Sequence, residues 1–147
     1  ATDDPVRTPG YLPHFYVKIP GRETNRVTRI AFSFKAEPGA VVDYVCRDWP
    51  NPAKPFAPGL VLRLTSYPAG IWYNVEIVYT SRAGAKTEIA VKMTDEHGKV
   101  VRKDKVRPDG ASFVRPTWAG FLSSAKEKCC WYLDDFTMSI KDEKEER

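Results

Sequence analysis

Residues 69–79 read AGIWYNVEIVY, and this stretch decides the fold. Every second residue from Ile71 to Tyr79 is apolar or aromatic, whereas Asn74 and Glu76 occupy alternate positions. A period of two is typical of a β-strand that packs one face against a core and exposes the other face to water. The glycine just before it favours a turn. The stretch therefore predicts a half-buried strand that starts directly after a turn.

The same alternation recurs along the rest of the chain and predicts roughly eight or nine short strands. Clusters of Pro, Gly, Asn and Asp separate these runs, and no run predicts an amphipathic helix of ~10 residues. The sequence DEHG, residues 95–98, predicts a hairpin turn, and residues 99–106 predict an exposed edge strand. Repeated strands and turns of this kind indicate an all-β sandwich.

The last run, LDDFTMSI at residues 133–140, adds a second motif. Phe136, Met138 and Ile140 alternate and would face one side of a strand, whereas Leu133 would face the other side in a regular strand. A β-bulge near Asp134 and Asp135 would direct all of these apolar residues toward the core. The run therefore predicts a closing strand that contains a bulge.

These two motifs together resemble the concanavalin-A-like and laminin-G-like jelly-roll domains. Residues 70–79 match the pattern G-x-W-x-x-V-x-I-x-Y of the central strand, and residues 133–138 match the closing pattern L-D-D-[VF]-x-[IM]. The resemblance covers roughly the second half of the chain. It implies a jelly-roll antiparallel β-sandwich, concanavalin-A-like, and it implies sugar binding as the usual function, with glycanases and polysaccharide lyases as less frequent members.

The chain length fits one domain, since 147 residues bury enough surface for one core. We assign residues 1–13 to a lead-in arm, residues 14–140 to a single sandwich domain and residues 141–147 to a charged tail. No apolar run approaches the ~20 residues of a membrane helix, so no membrane insertion is expected. The sequence starts at Ala1 and looks like a mature or excised segment of a secreted, periplasmic or cell-surface protein.

The formal net charge of +4 is spread along the chain rather than concentrated in one block. This distribution favours weak attraction to anionic polymers over dedicated nucleic-acid binding. An anionic polysaccharide is therefore a slightly better expected partner than a neutral one, and no nucleic acid is expected.

The three cysteines leave two interpretations open. In an oxidising compartment Cys46 would pair with Cys129 or Cys130 and leave one free thiol. Alternatively, the cysteines are reduced and buried as small hydrophobic residues.

A cofactor is not expected from the sequence. The two histidines, His14 and His97, lack ligand-like spacing with the cysteines. Asp134 and Asp135 have two interpretations: they bind calcium, or they accept backbone N–H bonds at the bulge. The second interpretation is favoured, because no further acidic cluster lies nearby in sequence.

Catalysis has little support in the sequence. The glycanase pattern E-x-D-x-x-E, which places carboxylates on one strand face, does not occur, and Glu76 stands alone on its strand. Nucleophile-elbow, phosphate-loop and HExxH motifs are also missing. We therefore predict that the protein is not an enzyme.

Sugar binding requires fewer specific groups than catalysis does. Aromatic rings that stack on a sugar and polar groups beside them are sufficient. Trp49 lies in the proline-stiffened sequence RDWPNP, and Trp118 and Tyr67 lie in other proline-containing loops. Each of these rings could instead cover the end of the core, and Trp72 is expected to pack structurally. The candidate ligand-binding residues are Arg47, Asp48, Trp49, Asn51, Tyr67, Arg115 and Trp118.

The sequence thus predicts a non-catalytic glycan-binding module. Two alternatives stay open: a structural or protein-interaction sandwich without a sugar site, and a polysaccharide-cleaving enzyme of the same fold. Burial of both Trp49 and Trp118 would favour the first alternative, and a groove with converging carboxylates would favour the second.

Overall fold

The computed structural model describes residues 2–3, 14–20 and 25–146, and most of this chain is β-strand. Two short 3-10 helices complete the secondary structure, at Leu64–Ser66 and Glu143–Glu146. The strands are β1 (Thr2–Asp3), β2 (His14–Lys18), β3 (Arg26–Ala36), β4 (Val42–Asp48), β5 (Ala57–Arg63), β6 (Tyr73–Ser81), β7 (Glu88–Asp95), β8 (Val100–Val106), β9 (Trp118–Ser123) and β10 (Cys129–Asp142).

The strands form two antiparallel sheets. One has the order β10-β3-β6-β7-β8, with the two residues of β1 paired at its outer edge to the start of β10. The other has the order β2-β9-β4-β5. We call them the five-stranded sheet and the four-stranded sheet. The predicted all-β antiparallel sandwich is thereby confirmed.

The core lies between the two sheets, and its aromatic centre is Phe121 of β9. The Phe121 ring lies 4.8 Å from the ring of Phe32, 5.6 Å from Tyr44 and 6.3 Å from Trp131, measured between centroids. Aromatic pairs at these separations stabilise a core beyond the area they bury. The inward-facing residues of both sheets thus meet in a single hydrophobic cluster.

The strand predicted from residues 69–79 is confirmed as β6, which lies in the middle of the five-stranded sheet. Its odd-numbered residues are buried, whereas Asn74 and Glu76 are exposed. The preceding turn contains Gly70, whose positive φ of 81° suits glycine, and its N–H bonds to the carbonyl oxygen of Ala36 at 2.8 Å.

The predicted bulge in the last strand is also confirmed. The pairing of β10 with β3 shifts register between Asp134 and Thr137, and Asp135 adopts a left-handed φ of 52°. The extra residue lets Leu133, Phe136 and Ile140 pack against the core, whereas Met138, which was also expected to point inward, is exposed.

The hairpin turn and the edge strand were predicted at the right places. Gly98 has a φ of 80°, and its N–H bonds to the carbonyl oxygen of Asp95 at 3.0 Å. The chain then returns as β8, which is the edge of the five-stranded sheet.

The candidate disulfide between Cys46 and Cys129 or Cys130 is not formed, and the sulfur of each of these residues is a thiol. Cys46 is buried on β4 and contacts Tyr79 of the facing sheet. Thr28 of β3 lies opposite Tyr79 of β6 on one side and opposite Ile140, near the end of β10, on the other side. Cys129 is the first residue of β10. The two sulfurs therefore belong to opposite ends of the sandwich, and Cys46 fills the core as a small hydrophobic residue.

The domain boundaries differ slightly from those assigned above. Residues 4–13 of the predicted lead-in arm lie outside the described residues. At the other end, β10 continues to Asp142, and the Glu143 carboxylate forms an ion pair with Arg82 at 2.6 Å. The charged segment therefore begins within the last strand. The described residues contain no helix of the length and apolarity that a membrane crossing requires.

Candidate functional site

Three of the residues predicted to bind ligand meet on the outer face of the four-stranded sheet. Arg47 of β4 lies opposite Trp118 of β9, and its guanidinium carbon is 4.7 Å from that ring and 4.1 Å from the ring of Phe56. The Trp49 ring lies 6.4 Å from Trp118 and 5.7 Å from Phe56. Tyr16 stacks on Trp118 at 5.4 Å. We call Tyr16, Arg47, Trp49, Phe56 and Trp118 the aromatic cluster.

Trp118 is largely covered within this cluster. A Cβ at Gly120 would lie 2.8 Å from Cη2 of Trp118 and 2.9 Å from Cβ of Tyr16, so the indole lies across the glycine. The side chain is 8% exposed, whereas Tyr16 is 47% exposed. Trp118 therefore offers little ring surface for stacking, and Tyr16 and Phe56 form the accessible part of the cluster.

Asp48 and Arg115 are engaged in local structure. Oδ2 of Asp48 accepts hydrogen bonds from the backbone N–H groups of Val114 and Arg115, at 3.0 and 3.4 Å. These bonds join the segment before β9 to the end of β4. Contact of either side chain with a ligand stays a prediction.

Asn51 and Trp49 hold the loop between β4 and β5 closed. Oδ1 of Asn51 accepts the N–H of Ala53 at 3.0 Å, and Nε1 of Trp49 donates to the carbonyl oxygen of Lys54 at 2.8 Å. A side-chain bond of this kind from Asn is a common turn former. These bonds close the loop on itself and engage Oδ1 of Asn51 and Nε1 of Trp49 within it.

Tyr67 is not part of the aromatic cluster. It follows β5 at the end of the sheet where β4 begins, whereas Trp118 lies level with Arg47 near the end of β4. The ring of Tyr67 packs on Tyr73 at 5.8 Å and contacts the core.

A separate polar groove of about 330 Å³ crosses the outer face of the five-stranded sheet. Its volume lies at the lower end of the range for ligand pockets, roughly 300–1,000 Å³. It runs across β10, β3, β6 and β7. The polar side chains that line it are Ser33, Asn74, Glu76, Lys92, Thr94 and Asp135.

Asn74 occupies the middle of the groove, opposite Ser33 on one side and Thr94 on the other. Oγ of Ser33 donates a hydrogen bond to Oδ1 of Asn74 at 2.7 Å. This bond orients the amide and occupies one acceptor position of Oδ1, which leaves the two N–H donors of the amide for other partners. Asn74 and the short hydroxyl side chains beside it can therefore bond to hydroxyl groups.

Glu76 lies in the next row of side chains, opposite Ala31 and Lys92. Its carboxylate is 3.5 Å from Nη1 of Arg29, and both side chains are exposed. The small side chain of Ala31 leaves room beside this carboxylate. On the other side, the bulge in β10 places Asp135 at the wall of the groove.

Trp72 and Tyr132 form an aromatic pair next to the groove, with their ring centroids 6.5 Å apart. Trp72 precedes Asn74 by two residues and Tyr132 precedes Asp134 by two, which puts the rings on the groove's face about 7 Å from its first polar row. Tyr132 is 42% exposed. Its hydroxyl donates to Oε1 of Glu37 at 3.3 Å, and the Glu37 charge raises the pKa of Tyr132, so the hydroxyl stays protonated.

The sequence contains a signal for this groove, since strand parity places Trp72, Asn74 and Glu76 on one face of a strand. The parity of one strand does not by itself define a site. The missing information was the identity of the neighbouring strands. Only the register brings Ser33 and Lys92 beside β6.

Among residues 2–3, 14–20 and 25–146, no three His, Cys, Asp or Glu side chains are grouped so as to hold a metal ion. At the bulge, Oδ1 of Asp134 accepts the N–H of Asp135 at 2.8 Å.

No protein-family model matches the chain, and no curated protein matches it. The structure itself defines the class, which is an antiparallel all-β sandwich with a polar groove on one outer face and a packed aromatic cluster on the other.

Proposed function

We propose that the protein is a non-catalytic glycan-binding module that holds a polysaccharide in the polar groove. The observation that carries this proposal is the position of the Trp72–Tyr132 pair, in which Tyr132 is exposed and Trp72 is half-buried, beside a row of hydrogen-bonding side chains. A sugar ring has an apolar face, which stacks on aromatic rings, and a rim of hydroxyls, which needs donors and acceptors. The groove and the pair supply both within one surface.

Three of the polar groups in the groove have roles suited to a sugar. The carboxylates of Glu76 and Asp135 accept hydrogen bonds from hydroxyls, and bonds to a charged group are stronger than neutral ones. The amide of Asn74 donates to hydroxyl or ring oxygens. Since Ser33 and Arg29 hold Asn74 and Glu76 in place, less side-chain entropy is lost on binding.

The aromatic cluster has a structural role in this proposal. Trp118 is covered, Trp49 donates its N–H within its own loop, and Arg47 lies against two rings. These contacts stabilise one end of the sandwich. The resemblance to concanavalin-A-like and laminin-G-like domains agrees with sugar binding on a sheet face and with a secreted, periplasmic or cell-surface location.

Polysaccharide cleavage is the second candidate, and one observation favours it. Glu76 and Asp135 come from separate strands but line the same groove. Glycosidases use two carboxylates on either side of the bond they break. Release of reducing ends or unsaturated sugars by the native protein, lost in Glu76→Gln, would establish cleavage.

Tryptophan fluorescence and calorimetric titration test the proposed binding. The native protein is titrated with neutral polysaccharides (xylan, mannan and β-glucans) and with acidic ones (alginate, polygalacturonate and a sulfated galactan). We expect at least one polymer to bind, and Trp72→Ala to weaken that binding by about tenfold or more, as for an aromatic anchor. Asn74→Ala should weaken it as well.

Tyr16→Ala is the matched control, since it removes an exposed ring from the opposite face of the sandwich. The proposal requires native affinity in this variant. An equal loss of polysaccharide affinity in Trp72→Ala and Tyr16→Ala would contradict the proposed location of the site. No binding of any polymer by the folded native protein would contradict glycan binding and favour a structural domain.

A further inference from the structure

Three lysines border the polar groove on the edge of the five-stranded sheet. Lys92 of β7 lies directly opposite Lys103 of β8, and Lys105 follows two residues later on the same face. All three side chains are exposed. We call Lys92, Lys103 and Lys105 the lysine edge.

Two like charges directly opposite each other on neighbouring strands destabilise a sheet. The ion pairs formed within the described residues do not include any member of the lysine edge. Asp104 is the nearest acid in sequence, but it lies on the other face of β8, opposite Val91, and bonds to Arg102 at 2.8 Å. Strand β8 thus places the Arg102–Asp104 ion pair on one face, and it places Lys103 and Lys105 on the face that borders the groove.

The charges that face the groove form an acidic and a basic region, which meet where Glu76 of β6 lies opposite Lys92 of β7. Glu76 and Asp135 lie toward β6 and β10, with Arg29 beside Glu76, and the lysine edge lies toward β7 and β8. The negative region suits hydroxyl groups, which donate to carboxylates. The positive region suits an anionic group and would gain little from a neutral sugar.

We infer that the bound glycan is an acidic polysaccharide whose carboxylate or sulfate group lies between Lys92 and Lys103. This inference rests on the proposed glycan-binding function and adds the class of ligand. Side chains directly opposite on neighbouring strands have Cβ atoms about 4.5–5.5 Å apart, so two flexible lysines can direct their ammonium groups to one anion. Binding of the anion would also relieve the repulsion between the two lysines.

Pairs of polymers that differ only in charge test this inference. Each acidic polysaccharide that binds is compared with its own neutral form: carboxyl-reduced polygalacturonate or alginate, and desulfated galactan. We expect the acidic form to bind about tenfold more tightly than the neutral form, with the difference shrinking as the salt concentration rises from 50 to 300 mM. The carboxylate and sulfate series distinguish the two sources of the anionic group.

Two double variants with the same change in net charge separate a local site from general attraction. Lys103→Gln/Lys105→Gln removes the two lysines of the lysine edge that lie on β8 outside the groove lining, and Lys126→Gln/Lys128→Gln removes two exposed lysines in the loop before β10. We expect the first variant to lose most of the preference for the acidic form while it still binds the neutral form. The second variant should keep the preference.

The outcomes distinguish this inference from the proposed function. Equal affinity for the acidic and neutral forms would overturn the inference and leave glycan binding intact. Equal losses in the two double variants would also overturn it, because attraction by net charge alone would then explain the preference. If no polymer of either charge binds the native protein, the proposed function itself fails, and this inference fails with it.

Discussion

Tyr79 lies in the middle of the core, where its hydroxyl meets two polar groups from the facing sheet. It is 2.8 Å from the hydroxyl of Tyr44, and it also hydrogen-bonds the thiol of Cys46. Buried polar groups cost free energy unless they are paired. These three side chains therefore satisfy one another inside an otherwise apolar interior.

Removing the Tyr79 hydroxyl should cost more stability than removing the Tyr44 hydroxyl. Tyr79→Phe takes a partner from both Tyr44 and Cys46, so we expect a loss of about 1–3 kcal/mol in the free energy of unfolding. Tyr44→Phe leaves Tyr79 bonded to Cys46 and should cost less. Urea unfolding measures both losses, and their order is the test: a larger loss in Tyr44→Phe would contradict this arrangement.

At the residue scale, the sequence predicts which side of a strand each side chain occupies. The alternation around Tyr79 is enough to place it in the core, and Cys46 was expected to be either buried or paired. Their contact was not predictable, because Cys46 and Tyr79 belong to different sheets. The sequence pattern does not specify how two facing sheets are aligned across the core.

Among the elements, the end of β4 is joined to the segment before β9 partly through the carboxylate of Asp48. Asp48 accepts two backbone N–H groups from the segment that leads into β9, through the same oxygen atom. The sequence presented Asp48 as a polar contact for a ligand, and in the structure it connects two segments of the chain.

Asp48→Ala should therefore lower the free energy of unfolding by about 1 kcal/mol, because two N–H groups lose their acceptor. Asp48→Asn is the matched control, since its amide keeps one oxygen in the same place and should be nearly as stable as the native protein. Urea unfolding of both variants measures this difference. Equal losses would show that the negative charge, rather than the hydrogen bonds, stabilises the segment.

The elements that were predicted correctly have local causes. The hairpin turn depends on Gly98, the bulge on the parity around Asp134 and Asp135, and the edge strand on a run rich in lysine. The polar groove could not be predicted in this way. It depends on which strands are neighbours, and the pairing of β3 with β6 and β10 joins residues far apart in sequence.

For the whole molecule, the buried ionisable groups predict a loss of stability in alkali. Burial raises the pKa of the Cys46 thiol from its ordinary value of 9.0 to about 12, and it raises the pKa values of Tyr44 and Tyr79 well above 10.0. Above pH 9 the unfolded chain releases protons that the folded chain retains. These three groups should therefore contribute no pH dependence well below pH 9, and they should lower the stability as the pH rises from 9 toward 12, by up to about 1.4 kcal/mol per pH unit for each group.

Urea midpoints measured at pH 7.5, 9 and 10 check this prediction. Cys46→Ala provides the control, because it removes the group with the lowest ordinary pKa of the three. Its stability should fall less steeply between pH 9 and pH 10 than that of the native protein. The same slope in both proteins would show that the thiol does not titrate differently on unfolding.

The order of the strands also determines when this protein can fold during its synthesis. β3 needs β10 as a neighbour, and β2 needs β9, so each sheet contains a strand from near the start of the described chain and one from near its end. A nascent chain that has reached only β8 lacks both closing strands, as well as Phe121 at the centre of the core. Folding is thus expected only after translation has passed β10, and until then the apolar faces of the earlier strands are exposed to chaperones and to one another.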